Sequence, residues 1–147
     1  MNALLSIKPK YVEAIVNGKK RYEFRKFIFK NTNIEKVYIY STAPQKRIVG
    51  FFRIGRIIED HPKKLWSQFQ NLSGLNPVEF FSYFEDSEKG FAIEILSLEK
   101  YENPIDPLSL MPGFMPPQSF YYVDADMANL LFHQCLTHAS MYPHTKE

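Results

Sequence analysis

Residues 18–26 read GKKRYEFRK, and six of these nine residues are charged. Gly18 tolerates the left-handed backbone conformation that often ends a helix, so the sequence predicts a helix that stops there and leads into a strand. Side chains of a strand alternate between its two faces. Glu23 is therefore expected to share a face with Arg21 and Arg25. The opposite face is expected to carry the alternate residues, Lys20, Tyr22, Phe24 and Lys26.

The mixed charge of this stretch has two interpretations. A carboxylate between two guanidinium groups can be part of a salt-bridge ladder on a solvated strand face. Alternatively, the guanidinium groups bind an anion and the carboxylate accepts a hydrogen bond from the ligand. Three cations, Lys8, Lys20 and Arg25, are expected to converge beside the turn that carries Ser41 and Thr42. Such a cluster suits a backbone phosphate or a nucleobase carbonyl, so we expect a ligand cleft at this place.

The remaining pattern predicts an α+β domain. Helices are predicted where Pro9, Pro62 and Pro77 precede apolar residues at helical spacing. Strands are predicted over residues 3–8, 20–26, 36–42, 47–59, 90–101 and 119–123. Gly50 and Gly55 interrupt the longest strand, which is typical of a sheet that curls. We therefore expect a mostly antiparallel β-barrel of five to six strands with flanking helices.

A proline-rich segment covers residues 103–118 and has no periodic pattern. A flexible linker usually carries Gly, Ser and charge, whereas this segment carries large apolar side chains that need a surface to cover. We expect an ordered, irregular loop in which the stretch from Pro104 to Pro117 forms one wall of the cleft. That wall is expected to hold Gln118 and Ser119 in place for amide and hydroxyl contacts.

One domain is expected to extend over residues 1–137. Asp124 is a suitable N-cap for a C-terminal helix that runs through Leu131 to Cys135. Residues 138–147 carry few apolar side chains and are interpreted as a disordered tail.

Composition narrows the class of protein. The 147 residues carry a formal net charge of +2, which does not indicate strong nonspecific binding to duplex DNA. Aromatic residues make up 16% of the chain, and of these Tyr22 and Phe24 are expected in the core rather than stacked on a ligand. A single cysteine cannot form an internal disulfide, and neither a signal pattern nor a membrane-spanning run is present. These features favour a cytoplasmic protein without membrane contact.

Several motifs together resemble those of one known family. LSIKP at residues 5–9, which leads through a helix to GKKRYEFR at 18–25, is similar to the opening of an ASCH (activating-signal-cointegrator homology) domain. Later motifs of that family are similar to four further stretches of this chain: YSTAP at 40–44, VG at 49–50, GFAI at 90–93 and PPQSF at 116–120. ASCH domains are a branch of the PUA-like β-barrels. The resemblance, over roughly residues 3–123, therefore implies this fold, with a cleft between the barrel and its first helix.

The resemblance implies a small domain that binds RNA or a modified nucleotide or nucleoside, with a role in RNA metabolism or transcription regulation. The residues expected to contact the ligand are Lys8, Lys20, Glu23, Arg25, Ser41, Thr42, Gln118 and Ser119. No cofactor or metal ion is expected, because the four histidines lack metal-ligand spacing and no glycine-rich phosphate loop occurs. The sequence leaves the identity of the ligand and the oligomeric state open.

A hydrolase of the same fold is the alternative. One branch of the family is an amidohydrolase of acetylated cytidine, which uses a lysine at the place of Lys20, a threonine nucleophile at the place of Glu23 and a glutamate from later in the chain. Ribonuclease activity is also associated with the fold. A carboxylate is a poor substitute for a hydroxyl nucleophile, but it can act as a general base on water. An enzyme here, either the amidohydrolase or a metal-independent ribonuclease, would thus use Lys20 and Glu23. A platform for protein interaction, with an empty cleft, is the third possibility.

Overall fold

The structure is a computed structural model, and it describes residues 1–31 and 33–131. Strands form where β-branched and aromatic residues alternate, and helices form where a proline precedes apolar residues at helical spacing. In chain order the elements are β1 (Asn2–Ile7), α1 (Pro9–Val16), β2 (Tyr22–Arg25), β3 (Lys36–Ser41), β4 (Arg47–Asp60), α2 (Pro62–Phe69), a short 3-10 turn (Gln70–Leu72), α3 (Pro77–Tyr83), β5 (Gly90–Ile105), α4 (Pro107–Leu110) and β6 (Phe120–Val123).

A proline occupies the first turn of each of the four labelled helices. At that position its missing N–H costs no intrahelical hydrogen bond, and its fixed φ suits the helix. In α3 a reciprocal cap is added: Asn76 accepts from the backbone of Glu79 at 2.8 Å, and Glu79 accepts from the backbone of Asn76 at 3.0 Å. No helix within the described ranges is both long and apolar enough to cross a membrane. The predicted helix starts at Pro9, Pro62 and Pro77 are confirmed.

Six strands form one sheet in the order β2-β5-β4-β3-β1-β6. β1 and β3 run parallel, with Leu5 opposite Ile39, and the other pairings are antiparallel. The long β4–β5 pair contains register shifts, one of them between Ile48 and Gly50, and such bulges increase the twist of a sheet. The prediction of an α+β fold with a mostly antiparallel sheet of five to six strands is confirmed.

The expected barrel, however, is not closed. β2 and β6 are the two edges of the sheet in the described part of the chain. The four residues of β2 pair with β5 on one side, and within the described ranges no strand pairs with the other side of β2. A side chain spans the gap instead. Arg25, at the end of β2, donates to the carbonyl oxygen of Ser6 in β1 at 2.9 Å and to that of Ser119, just before β6, at 3.4 Å.

Three clusters of buried side chains hold the layers together. The first lies between α1 and strands β1, β3, β4 and β5, and it includes Val12 and Phe52. The second lies on the other face of β1 and β3, where Leu4 is fully buried. The third packs β2 and β5 against α2 and α3, and it contains Tyr22 and Phe24, as predicted. The third cluster fixes α3 beside β2, which is the arrangement that shapes the functional site.

The proline-rich segment is more regular than the sequence predicts. Ile105 is buried and pairs with Ile48, so strand pairing carries β5 past Pro104. Asp106 then caps α4 by accepting a backbone N–H at 3.0 Å from the residue two positions further on. Residues 111–119 follow without helix or strand.

Helical structure resumes after β6. The Oδ1 atom of Asp124 accepts the backbone N–H of Met127 at 2.8 Å, which confirms the predicted N-cap. Residues 125–131 are helical, and Leu131 packs into the second buried cluster. Three predictions for this end lie outside the described residues: the extension of the helix to Cys135, the domain limit at residue 137 and the tail 138–147.

Candidate functional site

A cleft lies where the ends of β1 and β2 face helices α1 and α3. Its volume is about 550 Å³, within the range of pockets that hold small ligands. Its charged lining residues are Lys8, Lys20, Glu23, Arg25 and Glu79. Its aromatic lining residues are Tyr11, Phe24 and Tyr83. Three cations and two carboxylates therefore share one small volume.

Lys20 is the most deeply placed of these cations, with 2% of its surface exposed. Its Nζ donates to the carbonyl oxygen of Ser73 at 2.8 Å and lies 3.4 Å from Oε1 of Glu23. It also lies 5.2 Å from the ring centroid of Phe24, within cation–π distance. Burial lowers the pKa of the Lys20 ammonium, and the Glu23 carboxylate opposes that shift. An ammonium has three donors, so these two oxygen contacts account for two of them.

The prediction that Lys20 and Glu23 lie on opposite faces is wrong. β2 begins at Tyr22, so strand alternation does not extend back to Lys20. Lys20 instead forms an isolated antiparallel bridge with Ser73. The next residue, Gly74, approaches so closely that a Cβ built on it would lie 2.7 Å from the Cβ of Lys20. A contact from a distant part of the chain thus decides where the lysine points.

Glu23 is 7% exposed and lies between Lys20 and Arg25. Its Oε2 accepts from Nε of Arg25 at 2.9 Å and lies 2.7 Å from Nη2 of the same guanidinium. The two-residue spacing on β2 brings Glu23 and Arg25 together, as predicted, whereas Arg21 lies outside β2 and is exposed. Removing one member of such a buried pair leaves an uncompensated charge, which typically costs about 3–5 kcal/mol. The network is a rigid part of the fold as well as a lining of the cleft.

Lys8 differs from the other two cations. It is exposed at the N-cap position of α1, and in residues 1–31 and 33–131 its ammonium has no hydrogen bond or ion pair. A cation at a helix N-terminus gains nothing from the helix dipole. Lys8 is therefore available for an anion that enters the cleft.

The wall on α3 carries a carboxylate that the sequence analysis missed. Oε2 of Glu79 accepts from Nζ of Lys10 at 2.6 Å and from the hydroxyl of Tyr11 at 2.9 Å. The hydrogen bonds from Lys10, from the backbone of Asn76 and from Tyr11 lower the pKa of Glu79 to about 2. Burial, together with the hydrogen bond to Glu79, raises the pKa of Tyr11 to about 12. The capping motif formed by Asn76 and Glu79 is visible in the sequence, but it marks a helix start and gives no sign of a cleft.

Two of the predicted ligand contacts lie away from the cleft. Ser41 is fully buried, and its hydroxyl is without a hydrogen-bond partner among the described atoms. Thr42 donates its backbone N–H to the carbonyl oxygen of Ile7 at 3.0 Å. Both residues therefore anchor the end of β1 through the β1–β3 pairing rather than line the cleft.

The prediction that residues 104–117 form a wall of the cleft is wrong, because α3 provides that wall. Within the segment, Phe114 packs on Tyr40 with 5.4 Å between ring centroids, and Leu110 joins the same buried cluster. This cluster lies on the opposite face of β1 and β3. The apolar side chains of the segment thus cover the sheet around Leu4 and Tyr40.

The end of the proline-rich segment still reaches the site. The hydroxyl of Ser6 donates to the carbonyl oxygen of Pro117 at 2.7 Å, which holds the chain against β1. Gln118 lines the cleft, as predicted. The following residue, Ser119, contributes its carbonyl oxygen to Arg25 instead of a hydroxyl to the cleft.

Comparison with known proteins agrees with this arrangement. The model of the ASCH domain matches residues 5–105, well over half of the sequence. This chain belongs to the ASCH domain family. An ASCH domain-containing ribonuclease from Zymomonas mobilis is 32% identical to it over an alignment of 127 residues that covers 82% of this chain and 83% of that protein. The resemblance read from the sequence motifs is confirmed.

Solved structures show the same fold. The crystal structure of ASCH from Zymomonas mobilis has a TM-score of 0.83 to this ASCH domain at 29% identity, covering 90% of this chain and 94% of that one. The N-terminal domain of Staphylothermus marinus McrB has a TM-score of 0.60 at 12% identity, covering 90% of this chain and 93% of that one. At that identity the second comparison concerns the fold alone.

Gly74→Ala tests the contact that places Lys20 in this ASCH domain. The added methyl group would lie 2.7 Å from the Cβ of Lys20. Gly113→Ala is a matched control, because Gly113 also has a positive φ (+85° against +69°) but has no atom within 4 Å of the added carbon. We expect Gly74→Ala to lower the free energy of unfolding by about 1–3 kcal/mol more than Gly113→Ala does, as measured by urea denaturation. Equal losses would contradict the proposed role of Gly74.

The pKa of Glu79 predicts an acid-dependent contribution to stability. Its folded value of about 2 lies below the ordinary 4.5, so the stabilisation is complete above pH 4.5 and is lost as the pH falls from there toward 2. Glu79→Gln should be less stable than the wild type near neutral pH, by about 1 kcal/mol because the ion pair is partly exposed. That difference should shrink through the stated window in urea denaturation. Glu13→Gln, at an exposed glutamate of α1, is the control. A difference for Glu79→Gln that stays constant between pH 6 and pH 2 would refute the assignment.

Proposed function

We propose that this ASCH domain binds RNA and holds one of its nucleotides in the cleft. The observation that carries the proposal is that Lys8 alone among the charged lining residues lacks a partner in the described ranges. Glu79 is paired with Lys10, and the carboxylate of Glu23 is paired with the two other cations of the cleft. A single uncompensated cation beside a space of this size suits one backbone phosphate.

The paired residues have a different task from Lys8 in this proposal. Arg25 already donates to Glu23, Ser6 and Ser119, which leaves its guanidinium little capacity for a ligand. It serves to hold the floor of the cleft. Lys20 and Gln118 line the cleft, so these two are assigned to the sugar or the base edge. Most of the site is held in place by these contacts before a ligand binds. Little binding energy is therefore lost to ordering the side chains of the site.

The family supports RNA as the ligand. The relative from Zymomonas mobilis is an ASCH domain-containing ribonuclease, and this chain matches 83% of its length. The formal net charge of +2 does not favour strong nonspecific binding to duplex DNA, whereas local contacts to a single strand need few charges. If a modified nucleotide is the ligand of this cleft instead, it should displace the labelled RNA in the assay below at a lower concentration than the unmodified nucleotide does.

Lys8→Ala tests the proposal directly. We expect about a tenfold loss of affinity for a fluorescein-labelled single-stranded octa-adenylate, measured by fluorescence anisotropy, because one charge-assisted contact to phosphate is removed. The slope of log affinity against log salt should fall by about 0.7, the value for one phosphate contact in a single strand. Stability should not change, since Lys8 makes no ion pair in the described ranges.

The matched control is Lys100→Ala, an exposed lysine of β5 that does not line the cleft. Lys8 is a better test than Lys20 or Arg25, because alanine at either of those positions would leave the carboxylate of Glu23 buried without one of its partners. If Lys8→Ala and Lys100→Ala bind the octamer equally, the cleft is not the RNA site.

Cleavage of the bound RNA is the second candidate function. The observation that favours it is geometric: the ammonium of Lys20, whose pKa is lowered by burial, lies 3.4 Å from the carboxylate of Glu23, so a proton donor and a proton acceptor share the cleft. In this scheme the 2′-hydroxyl loses its proton to Glu23 and its oxygen attacks the adjacent phosphorus. The bond from phosphorus to the 5′-oxygen breaks, and that oxygen takes a proton from Lys20. The products are a 2′,3′-cyclic phosphate and a 5′-hydroxyl.

The cleavage scheme assigns no step to a metal ion. Among residues 1–31 and 33–131, no group of three or more His, Cys, Asp and Glu side chains is placed to hold one. We therefore expect cleavage of the octamer, followed by gel electrophoresis, to persist in excess EDTA. Glu23→Gln should lower the rate by about 100-fold or more, since general catalysis contributes that much. A 2′-deoxy octamer should remain intact. Cleavage that EDTA abolishes, or that survives in folded Glu23→Gln, would rule this scheme out without affecting the binding proposal.

A further inference from the structure

Tyr83 closes α3 at the mouth of the cleft and is used by none of the functions described so far. It is one of three aromatic lining residues, and they differ in what they can offer to a ligand. Phe24 is 5% exposed and lies under the ammonium of Lys20. Tyr11 has its hydroxyl engaged by Glu79. Tyr83 is 40% exposed, more than the half-buried Tyr11, so its ring is the one in the lining that is most open to a ligand.

The ring of Tyr83 is held in place without a ligand. Its hydroxyl oxygen accepts the backbone N–H of Lys26 at 3.2 Å. The Nζ of Lys26 lies 5.0 Å from the ring centroid, over the ring, and Phe84 makes an edge contact at 4.8 Å. Burial by these neighbours raises the pKa of the Tyr83 hydroxyl, so it stays protonated at neutral pH. A large exposed aromatic that is fixed at its hydroxyl and on its ring loses little entropy when a ligand packs on it.

Tyr83 and the lining cation without an ion pair in the described ranges lie on different sides of the cleft. Tyr83 and the network of Glu23 and Arg25 line the same cleft, while the cation available for a phosphate is Lys8, on the side of β1 and α1. An aromatic ring at one side and a free ammonium at the other match the two ends of a nucleotide. Nucleobases stack on tyrosine whatever their sequence, because every base has a π-face.

We infer that Tyr83 is a stacking surface for one unpaired base of RNA, and that the domain therefore takes single-stranded rather than duplex RNA. The inference rests on the binding function proposed above and names its substrate class. A base within a duplex has both faces covered by its neighbours and its edge paired, so it has no face to offer to a ring inside a cleft of about 550 Å³. A base that has left the stack offers a whole face.

Substitution of Tyr83 tests this, with Tyr122 as a matched control. Tyr122 is 39% exposed, its hydroxyl also accepts a backbone N–H, from Lys30 at 2.9 Å, and it does not line the cleft. We expect Tyr83→Leu to bind single-stranded octa-adenylate about 5- to 150-fold more weakly than Tyr122→Leu does, the range found for loss of one base–aromatic stack. Tyr83→Phe, which keeps the ring, should bind more tightly than Tyr83→Leu.

Two further measurements separate stacking from a structural effect. Tyr83→Leu should keep the salt slope of the wild type, because no phosphate contact is lost, whereas Lys8→Ala should change it. In the wild-type protein, an octamer in which 2-aminopurine replaces adenine should change its emission on binding, since stacking alters that base's fluorescence. This measurement needs no variant to fold. A longer, GC-rich RNA duplex, which stays paired under the assay conditions, should compete poorly for the cleft.

The outcomes distinguish this inference from the proposed function. If the wild type binds the single strand but Tyr83→Leu equals Tyr122→Leu, or the 2-aminopurine emission is unchanged on binding, stacking on Tyr83 is wrong and RNA binding stands. Equal competition by the duplex would also overturn the inference alone. If the wild type binds neither the single strand nor the duplex, the proposed function fails and the inference with it.

Discussion

The carboxylate of Glu23 is nearly removed from solvent, and a charge in that position is tolerated only with partners on both sides. Lys20 and Arg25 provide them, and each brings a second contact that fixes the fold. Lys20 reaches the backbone beyond α2, at Ser73, while Arg25 reaches the strand ends at Ser6 and Ser119. One buried ion network therefore joins the two open edges of the sheet and forms the floor of the cleft.

The open sheet and the open cleft have a common cause. If β2 and β6 were paired through their backbones, the space between the sheet edges would be filled by a regular ladder of hydrogen bonds. A guanidinium spans that space at one point and leaves the rest accessible. The aromatic cluster of Phe24, Phe80 and Phe84 then packs α3 against β2 and sets the width of the cleft. The aromatic cluster between α3 and β2 thus provides stability, while the gap between the sheet edges provides access for a ligand.

The residue at position 23 separates this chain from the amidohydrolase branch that its opening motif resembles. A threonine hydroxyl at that place would be neutral and free to act as a nucleophile. A glutamate there forms ion pairs with Lys20 at 3.4 Å and with Arg25 at 2.7 Å. The side chain at this backbone position is thereby charged and engaged by both neighbours, where a threonine hydroxyl would be neutral. A site that holds phosphate and base follows more naturally from this arrangement than attack on an amide.

The sequence by itself determined the elements of this protein and the charged residues at the start of β2. Helix starts at proline, strand alternation and the motif at residues 18–26 depend on neighbours a few positions apart, and such patterns are local. The salt bridge of Glu23 with Arg25 is of this kind, and so is the availability of Lys8. Four features depended on tertiary contacts instead: the position of Lys20, the wall on α3, the edges left open and the diversion of residues 104–117 to the other face. Each is decided by packing between segments far apart in the chain, which no local pattern records.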